Sequence, residues 1–167
     1  FGQHWLKDIS VLEKIVAAAN LQKTDRVLEI GPGRGALTEK LLKSQAEIIH
    51  GVELDIDLVA GLRKRFSQQS RFTLRQGDSL SVPLIPPDGK PANKVVANIP
   101  YNITSPLLER LIGRLGHPIQ DRYQTLVLLV QKEVAQRILA LPATSSFSAL
   151  SVRIQLLAHC QSVCLVP

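Results

Sequence analysis

The chain has 167 residues, of which 45% are hydrophobic and 20% are charged. This length suits one domain with a single core, because a domain of about 150 residues buries roughly 70% of the surface of its unfolded chain. Its apolar runs are shorter than the roughly eighteen residues that a membrane-spanning helix needs, so no membrane partner is expected. The net charge of +6 and the pI near 9.6 favour a polyanionic partner.

The two cysteines give a weak indication of the redox compartment, and the densest basic run gives a weak indication of phosphate binding. Cys160 and Cys164 lie in apolar sequence without His or carboxylate groups at zinc-ligand spacing, so we expect buried thiols in a reducing compartment such as the cytoplasm. The basic run Arg63-Lys64-Arg65 falls on an expected amphipathic helix. It fits a solvated helix face and a phosphate contact equally well.

Hydrophobic spacing predicts alternating helices and strands along the chain. A loop over residues 2–6 precedes a helix over 9–19 that Asp8 or Ser10 can cap. The pattern then predicts strands at 27–30, 48–54, 72–76, 94–98, 125–130 and 150–158, and helices at 36–42, 57–66, from 105, and 132–141. Residues 82–91 contain four prolines and are expected to form a surface loop. Such alternation predicts an α/β fold of the Rossmann type, with a mostly parallel sheet, helices on both faces and a ligand crevice at the carboxyl ends of the strands.

A glycine-rich loop, Gly31-Pro32-Gly33-Arg34-Gly35, joins the first strand to the next helix. In that context glycine lets a ligand approach the backbone closely. Gly31, Gly33 and Ala36 also fill the small positions of a dinucleotide-binding pattern, so the loop alone leaves NAD open as a ligand. Glu53 ends the second strand, 22 residues beyond Gly31, where a carboxylate accepts hydrogen bonds from ribose hydroxyls in either kind of site.

Two further strand ends distinguish these ligands. Asp78 follows the third strand, where it can accept a hydrogen bond from an adenine amine, and Asn98 ends the fourth. One polar feature at each of four strand ends suits an adenosine with a small charged tail better than a hydride carrier. Taken singly, each feature also fits a tight turn, a cap or a solvated carboxylate.

The segment Asn98-Ile99-Pro100-Tyr101 combines an amide, a carbonyl fixed by proline and an aromatic ring directly after an apolar strand. This combination suits the binding of a planar ring that carries an exocyclic amine. A turn in which Asn98 caps, Pro100 stiffens the chain and Tyr101 packs is the structural alternative.

Together these motifs resemble the ribosomal RNA adenine-N6 dimethyltransferases, kin of the macrolide-resistance RNA methyltransferases. The resemblance covers essentially the whole chain. It is carried by residues 1–6, 29–38, 53–55, 77–78, 98–106, 131–137 and 150–152. It implies a Rossmann-like class I methyltransferase fold and S-adenosylmethionine as the cofactor.

The resemblance also assigns roles to individual residues. The implied cofactor-binding residues are His4, Leu6, Gly31, Gly33, Glu53, Asp78 and Asn98. Asn98, Pro100 and Tyr101 are the implied catalytic residues. The Asn98 side-chain oxygen and the Pro100 carbonyl would each accept one hydrogen of the adenine N6 amine and aim its lone pair at the methyl group. Tyr101 would stack on the target base, an interaction of roughly 1 to 3 kcal/mol.

The implied substrate is small-subunit ribosomal RNA in a pre-30S-type particle, where such enzymes dimethylate two adjacent adenosines near the 3′ end. RNA binding, a role in ribosome biogenesis, a cytoplasmic location and a monomeric state are expected with it. Candidates for RNA contact are Arg34, Arg63, Lys64, Arg65, Arg110 and Arg114.

The sequence departs from the family pattern at three places. His4 stands where Asn is more frequent, and residues 143–148 replace a Gly-Lys-Tyr-Gly-like loop. The chain stops at Pro167, before a further aromatic residue, a seventh strand and a small helical RNA-docking domain. Residues 1–167 are therefore expected to be a C-terminally truncated catalytic domain.

Two other function classes remain open from the sequence. A methyltransferase acting on DNA adenine or on protein glutamine uses a similar tetrad, although the glutamine enzymes more usually have Pro in place of Ile99. A non-catalytic RNA-binding assembly factor that keeps the fold is the alternative outside the enzymes.

Overall fold

The computed structural model describes residues 8–119 and 122–166, with only the backbone of Tyr101. The helices are α1 (Ile9–Ala19), α2 (Ala36–Leu42), α3 (Ile56–Arg65), α4 (Thr104–Ile112), α5 (Lys132–Leu139) and α6 (Ala149–Leu157), and a 3₁₀ turn spans Tyr101–Ile103. The strands are β1 (Arg26–Ile30), β2 (Ile48–Glu53), β3 (Phe72–Gln76), β4 (Lys94–Asn98), β5 (Gly113–Arg114), β6 (His117–Pro118) and β7 (Thr125–Leu129).

Five of the strands form one parallel sheet in the order β3-β2-β1-β4-β7. The short strands β5 and β6 form a separate antiparallel hairpin. Strand β1 lies at the centre, and all five of its residues are buried, as expected for a strand covered on both faces. The predicted α/β fold of the Rossmann type is confirmed.

Side chains of alternate strand residues contribute to two hydrophobic cores, one on each face of the sheet. Helices α1, α2 and α3 pack on the first face, which includes Val27, Ile49 and Val96. Helix α4 packs on the second face, together with Leu28 and Val95. The proline-rich segment is a loop, as predicted, and its Leu84 is buried in this second core (2% exposed). Helices therefore lie on both faces, as the sequence predicted.

Polar interactions fix the entrance and exit of helix α1. The Asp8 side chain accepts from the N–H groups of Ser10 and Val11, which confirms the predicted cap. At the other end the ammonium of Lys94 donates to the carbonyls of Ala19 and Asn20, both at 2.8 Å, and pairs with Asp25 at 2.8 Å. The two hydrogen bonds tie the end of α1 to β4, and the buried ion pair ties the residue before β1 to the same lysine.

The strand predicted at 150–158 is wrong, because this segment is helix α6. Ser148 and Ser151 form a reciprocal capping box at its start. Ser151 and Ile154 are its buried residues, three positions apart as on one helix face rather than alternating as in a strand. Strand β7 is therefore the edge of the sheet in the described part of the chain, and the predicted sixth strand does not form.

Two smaller expectations also need correction. Helix α4 begins at Thr104 rather than at Ser105, because the preceding 3₁₀ turn leads directly into it. Cys160 and Cys164 are half-buried rather than buried. Among the described helices, none combines the length and the hydrophobicity needed to cross a membrane.

Candidate active site at the carboxyl edge of the sheet

The parallel strand order brings four of the predicted site residues into one row. Glu53 and Asn98 are the last residues of β2 and β4, whereas Gly31 and Asp78 come just after β1 and β3. These four strands are consecutive neighbours in the sheet, in the order β3-β2-β1-β4. Backbone bonds continue past the strands, from the Gly77 N–H to the Glu53 carbonyl at 2.8 Å. With strands about 4.8 Å apart, the row spans about 15 Å. The edge of the sheet at which the topology predicts a ligand crevice thus carries these four residues.

The glycine loop lies against two different parts of the molecule. Gly31 has φ +69°, and a Cβ there would lie 3.4 Å from the Asn98 carbonyl oxygen, so the loop starts beside the end of β4. Gly35 has φ +83°, and a Cβ there would lie 2.6 Å from Phe66 and 2.9 Å from Leu62. These contacts seat the end of the loop on the last turn of α3. Glycine is required at Gly35, because a side chain there would be strained by the positive φ and would clash with Phe66 and Leu62.

A cation holds the loop from the α3 side. The Arg65 guanidinium donates to the Arg34 carbonyl at 2.7 Å and pairs with Glu39 of α2 at 2.5 Å. The sequence analysis placed Arg65 in a basic run and among the candidates for RNA contact, whereas the structure gives it a contact with the glycine loop. Arg63 and Lys64, the other members of the run, are exposed.

The Glu53 carboxyl group links β2 to the glycine loop. It is 4% exposed, and its two oxygens accept from the Gly33 N–H at 2.9 Å and the Asp55 N–H at 3.1 Å. The next residue, Leu54, is an apolar side chain that is 65% exposed beside this carboxylate. An acceptor pair next to an apolar surface suits a ribose joined to a planar base.

Asp78 forms the local turn that was the structural alternative for it. Its Oδ1 accepts from the Leu80 N–H at 2.8 Å, and its Oδ2 lies 3.5 Å from the Ser81 hydroxyl. A carboxylate offers about four acceptor positions, so this turn leaves capacity for a ligand amine. The half-buried side chain remains at the end of the row beyond Glu53.

The Asn98-Pro100 segment is fixed from both sides. Asn98 is half-buried and lies opposite Leu129 in the β4–β7 register, and the Ile99 N–H donates to the Leu129 carbonyl at 3.1 Å. The Pro100 carbonyl accepts from the Ile103 N–H at 3.2 Å and from the Thr104 hydroxyl at 3.4 Å. Both distances are long, so a ligand donor would compete with weak bonds.

Three of the predicted residues cannot be placed in this geometry. His4 and Leu6 lie outside the described residues, as does the side chain of Tyr101. Their assigned roles stay predictions.

Sequence reasoning did not assign a role to Glu29. This residue of β1 is 1% exposed and accepts a hydrogen bond from the Thr38 hydroxyl of α2 at 2.7 Å. Burial, followed by the neighbouring Glu53 carboxyl, raises the pKa of Glu29 to about 8, although the Thr38 bond opposes the shift. A charged residue inside an otherwise apolar strand core was the signal available in the sequence.

The sheet order and the glycine loop place the chain among the Rossmann-like class I methyltransferases, and the solved structures that resemble it support this class. The chain belongs to the ribosomal RNA adenine dimethylase family, whose model matches residues 1–167.

Individual relatives agree with this family. The chain is 73% identical over 164 residues to the ribosomal RNA small subunit methyltransferase A of Prochlorococcus marinus, an alignment that covers 98% of this chain and 59% of the relative. It resembles the crystal structure of a dimethyladenosine transferase from Plasmodium falciparum with a TM-score of 0.79 and 33% identity, over 92% of this chain and 52% of that one. The 23S rRNA methyltransferase ErmE follows with a TM-score of 0.67 and 29% identity, over 80% and 50% of the two chains. The chain thus spans about three fifths of the length of the relative from Prochlorococcus.

Proposed function

We propose that residues 1–167 are the catalytic domain of an enzyme that transfers methyl groups from S-adenosylmethionine to N6 of adenosines in small-subunit ribosomal RNA. The observation that carries the proposal is the position of the Asn-Ile-Pro-Tyr segment beside the glycine loop, with the Asn98 carbonyl in contact range of Gly31. The family match over the whole chain supports it. Two adjacent adenosines near the 3′ end, in a pre-30S-type particle, are the proposed targets of a monomeric, cytoplasmic enzyme.

The donor and acceptor groups along the row fit S-adenosylmethionine. The Glu53 carboxylate fits the ribose hydroxyls, Asp78 fits the adenine amine, and the glycine loop leaves room for the methionine part. The exposed Leu54 offers an apolar contact for the adenine face. When bound, the cofactor supplies an electrophilic methyl group; the protein has to hold and orient the amine that receives it.

Asn98 and Pro100 are the proposed orienting groups. The lone pair of an adenine N6 amine is delocalised into the ring, so the amine is a weak nucleophile until it becomes pyramidal. The Asn98 side-chain oxygen and the Pro100 carbonyl accept its two hydrogens and favour that geometry, and they stabilise the positive charge that develops on nitrogen. The methylated nitrogen is then acidic enough to lose its proton without a strong base.

The hydrogen bonds and ion pairs of the six basic candidates indicate which of them are better suited to contact RNA. Arg110 donates to the carbonyls of Ser79 and Val82, and Arg114 pairs with Glu109. These guanidinium groups have structural partners already. Arg63 and Lys64 are exposed on α3, next to the helix turn that holds the glycine loop. They are the better candidates for a phosphate of the substrate.

Calorimetric titration with S-adenosylmethionine and, separately, with NAD tests the cofactor. We expect the chain to bind S-adenosylmethionine and not NAD. Binding of S-adenosylmethionine should be lost in Glu53→Ala. It should be retained in Asp57→Ala, which removes an exposed carboxylate from the first turn of α3. Binding of NAD alone would contradict the proposal. A chain that binds ribosomal RNA but does not bind S-adenosylmethionine would instead favour a non-catalytic assembly factor.

A further inference from the structure

A second carboxyl group lies one layer beneath the row of site residues. Glu29 faces the same side of the sheet as Val27 and is paired in register with Gly51, two residues before Glu53 on the neighbouring strand. Because side chains of alternate residues share a face, Glu29 and Glu53 lie diagonally across β1 and β2 on that face. The glycine loop begins two residues after Glu29, so this carboxyl group lies under the loop.

The buried Glu29 carboxyl group has an incomplete set of partners. One oxygen accepts from the fully buried Thr38 hydroxyl at 2.7 Å. The other, Oε1, is buried without a hydrogen-bond partner among the described residues. A buried acceptor of this kind normally has a partner, so its absence calls for an explanation.

The surrounding elements supply no compensating cation in the described part of the chain. Glu53 of β2 is the charged neighbour that shifts the pKa of Glu29, and it raises it. On the packed elements, Lys94 pairs with Asp25, Lys40 of α2 with Glu13 of α1, and Glu39 of α2 with Lys43 and with Arg65 of α3. The remaining charged side chains of these helices and of the glycine loop are exposed at the surface: Lys14, Arg34, Asp57, Arg63 and Lys64. Near neutral pH the Glu29 side chain is therefore mostly a neutral acid.

We propose that Glu29 is a proton-linked residue of the cofactor site, which loses its proton when a cationic ligand binds to the glycine loop above it. The inference rests on the proposed function. The O–H bond of the carboxylic acid breaks, the proton passes to solvent buffer, and the carboxylate compensates the ligand's positive charge in a region of low dielectric constant. S-adenosylmethionine carries a sulfonium that the product S-adenosylhomocysteine lacks, so the same step favours the substrate form over the product.

The sign of the pH dependence follows from linkage. The pKa of Glu29 is about 8 without ligand, and a bound cation lowers it. Affinity for S-adenosylmethionine therefore rises with pH, by at most about tenfold per unit, until the pH passes the pKa of the ligand-free group. Affinity for S-adenosylhomocysteine changes less over the same range.

Calorimetry in two buffers of different ionisation enthalpy at about pH 7 measures the proton directly. We expect the unaltered chain to release up to about one proton more per S-adenosylmethionine bound than Glu29→Gln, which keeps the shape without the titrating group. The ligand's own amine titrates in both proteins, so the difference isolates Glu29. Glu133→Gln, at an exposed carboxylate of α5, is the matched control and should behave as the unaltered chain.

The outcomes separate this inference from the proposed function. Equal proton release by the unaltered chain and Glu29→Gln overturns the inference while S-adenosylmethionine still binds. Failure of the unaltered chain to bind S-adenosylmethionine overturns the proposed function and the inference with it. If Glu29→Gln does not fold, the unaltered chain is compared with the two ligands, and equal proton release with both overturns the claim.

Discussion

Replacing Gly35 with alanine tests whether the glycine loop is seated on helix α3. The change adds one methyl group at a residue with φ +83°. That methyl would lie 2.6 Å from Phe66 Cε2 and 2.9 Å from Leu62 Cδ2. Both side chains are buried, at 8% and 2% exposure, so they have little room to move away.

Two costs set the expected loss of stability. A non-glycine residue in the left-handed region costs roughly 1–2 kcal/mol, and overpacking a filled core costs typically about 1–3 kcal/mol. The free energy of unfolding of Gly35→Ala should therefore fall by about 2–5 kcal/mol. Gly61→Ala is the matched control, because Gly61 lies inside α3 and a methyl group added there would have no atom of another segment within 4 Å. It should gain about 0.5–1 kcal/mol from helix propensity.

Urea denaturation of the three proteins, monitored by circular dichroism, gives the midpoint and the slope for each. A Gly35→Ala protein within about 0.5 kcal/mol of the unaltered chain, the usual range of a neutral surface substitution, would refute the seating of the loop on α3. If the loop is displaced as argued, the same variant should also bind S-adenosylmethionine more weakly than Gly61→Ala does.

The remaining predictions concern charged groups. Lys94→Met should lower the free energy of unfolding by about 3–5 kcal/mol, because it leaves Asp25 buried without its cation. The double variant with Asp25→Asn should recover part of that loss. An unchanged urea midpoint of Lys94→Met would contradict the role of the pair. The stability of the unaltered chain should carry a component that is full below about pH 4.5 and is lost as the pH rises toward 8, since folding raises the pKa of Glu29 to about 8. Glu29→Gln should remove this component from urea midpoints measured across the same pH range, and an unchanged profile would argue against a protonated Glu29. Arg65→Ala should weaken cofactor binding about fivefold or less, in line with the loss of an exposed ion pair worth about 0.2–1 kcal/mol. Lys64→Ala is the control and should leave the affinity measured by calorimetry unchanged. If both variants weaken cofactor binding equally, the effect is one of general charge rather than of the contact between Arg65 and the loop.

The sequence predicted the first four strands of the sheet and the loop that follows the central one. Their short apolar runs are bounded by Gly, Asp and Asn, so local patterns were sufficient. The same rules failed at 150–158, where a short alternating pattern fits a strand as well as a helix. There the capping box between Ser148 and Ser151 and the burial of Ile154 decided for helix α6.

The sequence by itself determined which residue types stand at the strand ends, and with them the family, because those motifs are local. Only the tertiary structure decided what surrounds them. The seating of Gly35 on Phe66, the contact of Arg65 with the glycine loop and the burial of Glu29 beside Glu53 each join segments that are distant along the chain. Such contacts depend on how helices α2 and α3 pack on the parallel sheet, and no pattern within one segment records that packing.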